Sequence, residues 1–76
     1  MHLMDLKKGD KAMIVNIDTK NQALKKRLYS FGVMPGEELS IKRCSLRRRT
    51  MEIKIDTTLI ALRAEEASII QVKPII

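Results

Sequence analysis

The chain carries one cysteine, one histidine, no tryptophan, two prolines, three glycines and only two aromatic residues, Tyr29 and Phe31. Each scarcity removes a chemistry. A lone Cys44 forms no internal disulfide, no CxxC redox pair and no thiolate cluster, which points to a reducing, cytoplasmic setting. His2 stands at the terminus with no Ser or Cys beside it and is expected to fray into solvent, leaving general-base chemistry without a candidate. Three glycines do not build a phosphate-cradling loop. Neither the loose group His2, Met4 and Asp5 nor the pair Glu65-Glu66 has a His or Cys ligand at metal-site spacing, and the two glutamates are expected to solvate a turn. The chain therefore reads as a non-enzyme with no cofactor and no metal. No apolar run approaches the length of a membrane span, and Met1 to Leu6, interrupted by His2 and Asp5, does not read as a secretory leader.

What is present suits one small folded module. With 76 residues, 45% hydrophobic and 32% charged, the chain is expected to form a single domain over residues 1–76. Folding at this size buries roughly 60% of the surface, enough for a thin core, here aliphatic and built from Ile, Leu, Val and Met. Fifteen Lys and Arg against nine Asp and Glu leave a net charge of +6, which attracts an anionic partner. Nucleic acid is disfavoured as that partner, because bases would find almost no aromatic side chain to stack on.

Periodicity places the elements. Lys11 to Ile17 is expected as a largely buried strand, with Met13, Val15 and Ile17 on one face and Ala12 and Ile14 on the other. Leu24, Leu28 and Phe31 fall at i, i+4 and i+7, the apolar stripe of a short helix over Ala23 to Phe31, with Asn21 or Thr19 as cap and Gly32 as stop. Lys25, Lys26 and Tyr29 would face outward, with Arg27 towards the edge. Pro35 and Gly36 specify a type II turn. Strands then alternate over Glu38 to Cys44 and Met51 to Asp56 as an antiparallel pair, followed by Leu59 to Arg63, a tight or single helical turn over Ala64 to Ala67, and Ser68 to Lys73. Between the paired strands lies a tip with three successive arginines, Arg47, Arg48 and Arg49, whose mutual repulsion calls for an anionic contact. Five strands and one helix in so short a chain suggest a closed or nearly closed barrel, SH3-like or OB-like, because closure hides sheet edges.

The ordered set of motifs resembles the FeoA family of small SH3-like proteins of bacterial and archaeal ferrous iron uptake. The resemblance rests on Leu6-Lys7-Lys8-Gly9-Asp10-Lys11-Ala12, on Leu24, Arg27 and Leu28, on Phe31-Gly32-Val33-Met34-Pro35-Gly36, and on Ile60-Ala61-Leu62-Arg63 followed by Ala67 and Ile70. It implies a mainly β, five-stranded SH3-like barrel with one short helix between the first two strands. It further implies a cytoplasmic accessory that docks on the FeoB transporter, modulates its assembly or activity, and meets the membrane only through that partner. Candidate contact residues are Lys25 and Tyr29 on the helix and Arg47, Arg48 and Arg49 at the tip. The tip departs from the family pattern, with Arg48-Arg49-Thr50 where many members look like Gly-Asp-Pro. A barrel that binds nucleic-acid backbone, or a homo-oligomeric scaffold, is the alternative function.

Overall fold

The computed structural model describes residues 1–75, without the side chain of Arg48. Five strands, β1 (Lys11–Ile17), β2 (Glu38–Cys44), β3 (Thr50–Ile55), β4 (Thr58–Arg63) and β5 (Ile70–Pro74), form one antiparallel sheet in the order β4-β3-β2-β1-β5. Helix α1 (Gln22–Ser30) joins β1 to β2, and the single turn α2 (Ala64–Ala67) joins β4 to β5. The first and last strands are thus neighbours. The ladder is linear, so the curled sheet closes over its core by side-chain packing, while β4 and β5 remain its two edges.

Alternation dictates the interior of β2 and β3. Leu39 and Ile41 on one strand and Met51, Ile53 and Ile55 on the other are buried, and their neighbours point out. In β1 the expected faces are corrected. Ala12, Ile14 and Ile17 are buried, while Val15 is 50% exposed, because the pairing with β5 slips between Ile14 and Asn16. One extra residue in a strand reverses the phase beyond it, so Ile17 lands on the face that Ile14 occupies.

Helix α1 starts on Asn21, whose side chain accepts the Leu24 N–H at 3.1 Å, and it ends on Gly32 at φ +90°. The Val33 N–H reaches Leu28 O at 3.0 Å and the Gly32 N–H reaches Tyr29 O at 2.9 Å, a Schellman pair that packs buried Val33 on buried Leu28. Phe31 is therefore not part of the core stripe, as the i+7 spacing suggested. It is the residue that caps the helix and is 46% exposed. Gly36 at φ +95°, with the Glu37 N–H on Met34 O at 3.2 Å, forms the expected turn into β2.

Two further expectations are corrected. The N-terminus does not fray: His2 bridges to Gln71, the Val72 N–H donates to Met1 O at 2.8 Å, and Leu3 and Leu6 are buried on either end of a 3-10 turn. Burial of two leucines outweighs the chain entropy that loosens a polar terminus. Glu66 does not merely solvate a turn. It is 9% exposed, and its Oε1 accepts the Arg63 N–H at 2.9 Å, closing the start of α2.

Candidate interaction surface

Among the described residues no three His, Cys, Asp or Glu side chains converge as a metal site requires, and no helix is long and apolar enough to cross a membrane. Lys25 and Tyr29 stand one turn apart on α1, so they share a face; Tyr29 is exposed and Lys25 half-buried. The Arg27 guanidinium lies over the Phe31 ring at 5.9 Å, at the edge of cation–π range.

The arginine tip is a built turn rather than a loose loop. Ser45 fastens its base, exchanging a backbone bond and a side-chain bond with Thr50, both at 2.9 Å. Between them runs a 3-10 turn, Leu46–Arg48, in which Arg47 takes φ +64°. Arg49 O accepts the Ala64 N–H at 2.9 Å, which ties the tip to the end of β4. Arg47 and Arg49 are exposed; the Arg48 side chain lies outside the described residues.

Strand β4 is shared by two grooves, one at the end of α1 and one at the base of the tip, and Lys25, Tyr29, Arg47 and Arg49 line neither of them. Ala61 lines a groove with Arg27, Phe31 and Leu59 on one side, and a second groove with Arg43, Leu46 and Glu52 on the other. The end of α1 and the base of the tip thus lie on either side of Ala61. The apolar part of this surface was not foreseen: Leu59 is 58% exposed and Leu46 90% exposed. The signal was present in Leu59-Ile60-Ala61-Leu62, an unbroken apolar run in a strand, where a period of two must leave every second residue outside.

The chain matches the FeoA domain family over residues 1–74. It is 40% identical over 72 residues to the Fe(2+) transport protein A of Campylobacter jejuni, a match covering 95% of this chain and 96% of that one. It superposes on the FeoA protein of Chlorobium tepidum with a TM-score of 0.90 at 28% identity, over 100% of this chain and 71% of the other. A zinc-complexed FeoA from Stenotrophomonas maltophilia, described as a prokaryotic SH3 domain protein, superposes with a TM-score of 0.83 at 25% identity, over 96% and 89% of the two chains. The fold is SH3-like.

Proposed function

Since this chain belongs to the FeoA family, whose members are small accessory proteins of ferrous iron transport, we propose that it docks on the cytoplasmic part of a FeoB-type transporter and modulates its assembly or activity. The observation that carries the docking reading is the face centred on β4. Phe31, Leu59 and Leu46 expose large apolar side chains on an 8.7 kDa protein, with Arg27 lining the groove of the first two and Arg43 that of the third. Apolar area supplies affinity, and the charges steer and orient the encounter. In this reading Lys25 and Tyr29 contact the partner from the helix side and Arg47, Arg48 and Arg49 from the tip, with the protein acting in the cytoplasm.

The test is binding of the purified chain to the cytoplasmic part of FeoB, in each nucleotide state, by calorimetry and pull-down. The wild type is expected to bind selectively. Replacing Arg47, Arg48 and Arg49 by Ala is expected to weaken binding and flatten its salt dependence. Failure to bind in every nucleotide state, alongside capture of generic duplex DNA at low salt, would replace this reading with one of nucleic-acid backbone binding.

A further inference from the structure

The two edges of the sheet are treated differently. On β5, the Val72 N–H is taken by Met1 O, His2 bridges to Gln71, and Pro74 closes the strand end. On β4 nothing comparable is present between Thr58 and Leu62: no proline, no bulge and no charged side chain blunts the strand. Thr58 follows the two-residue loop Asp56-Thr57, so Ile55 and Thr58 form the first doubly hydrogen-bonded pair of the β3–β4 hairpin. Alternation along the register then turns the N–H and C=O of Ile60 and Leu62 towards β3, and those of Leu59, Ala61 and Arg63 outward. The outward Arg63 N–H is held by Glu66. At Leu59 and Ala61, no backbone or side chain among the described residues takes the outward groups.

We propose that this open edge accepts an extended partner segment as a sixth strand, one with apolar side chains at its centre and carboxylates at both ends; the proposal rests on the docking reading above. The groove between β4 and the end of α1 gives the apolar centre its seat, against Leu59 and the Phe31 ring. Charge selects the occupant. Arg27 lines the groove beside Leu59, and Arg63 stands four residues further along β4, about 13 Å from Leu59 at about 3.3 Å per residue, with Arg49 tied to the next residue through the Ala64 N–H. Glu52, across from Ala61, is the carboxylate nearest the middle, flanked on its other side by Arg43, and Asp56 lies in the loop. A second copy of this chain fits poorly, because antiparallel pairing of two β4 edges would set the Arg63 end of each against the Arg27 end of the other, like charge on like.

The test uses the nitrogen-15-labelled chain with two probes: the cytoplasmic part of FeoB, and a synthetic peptide, acetyl-Asp-Asp-Val-Thr-Val-Thr-Val-Glu-amide. Each is expected to slow hydrogen exchange at the Leu59 and Ala61 amides by about tenfold or more, a readout that side-chain contact alone would not move. Ala61→Pro, which removes an outward N–H at an edge position that tolerates proline, is expected to weaken both probes by about tenfold or more. Leu59→Lys provides a second variant at an exposed site, with the same expectation. A peptide with its acidic residues replaced by Lys is expected to bind about tenfold more weakly. If FeoB binds while the two amides exchange as in the free protein and both variants bind normally, strand addition is overturned and docking stands. If the peptide protects the edge but FeoB does not bind, the docking reading fails and the edge remains a strand acceptor. Protection by neither probe, or equal binding of the Lys peptide, overturns the proposal.

Discussion

At the residue scale the fold depends on a few backbone conformations that only certain side chains permit. Gly36 sits at φ +95° with nothing within 4 Å of where a Cβ would be, so no steric collision complicates its replacement. Gly36→Ala is therefore expected to cost about 1–2 kcal/mol through the left-handed backbone alone, read as a lower midpoint in urea with an unchanged slope. Arg47 adopts the same region, φ +64°, in the middle of the tip, where an arginine gains nothing from the conformation itself. Phe31 shows the limit of periodic reasoning at this scale. Its spacing from Leu24 and Leu28 fits a helix stripe, but the helix ends before it, and the buried contact that finishes the turn belongs to Val33.

At the element scale the strands and the helix were legible because their signals are local. Alternation over Leu39 to Ile41 and Met51 to Ile55, the Asn21 cap and the Pro35-Gly36 turn each act within a few residues. The phase of β1 was not legible, since a bulge opposite β5 is a property of two strands far apart in sequence. Glu66 is the telling case for α2. Its carboxylate meets the last outward N–H of β4, so one side chain both caps the helix and terminates the open edge. Glu66→Ala is expected to cost about 1 kcal/mol, and Glu66→Gln, which keeps the acceptor, clearly less; thermal unfolding of the pair measures the difference. A larger gain in exchange rate at Arg63 than at Ile60 would locate the loss at the edge.

At the scale of the whole molecule, stability comes from bringing the ends of the chain together. β1 pairs with β5, and the residues before β1 close over the far side of β5. Removing Met1 to Leu6 exposes the space that Leu3 and Leu6 fill, a loss of about 3–6 kcal/mol at about 1.5–3 per buried leucine. A domain of this length has about 4–11 kcal/mol in total. The truncated chain is therefore expected to be largely unfolded at 37 °C, with far-UV circular dichroism and urea titration as the check; a cooperative native-like transition would show that the N-terminal segment is dispensable.

The number of strands, the place of the helix and the turns were legible in the chain alone, because they follow from side-chain period and from glycine and proline geometry over short stretches; the family was legible as a resemblance carried by the ordered motifs. The arginine tip was visible there too, as three adjacent like charges. Which apolar residues stay outside, the cover that the N-terminal segment gives to one sheet edge, and the open edge of β4 emerge only once the strands are paired. An edge is defined by the strand that is missing beside it. That depends on the order in which distant segments pair, which no local pattern encodes.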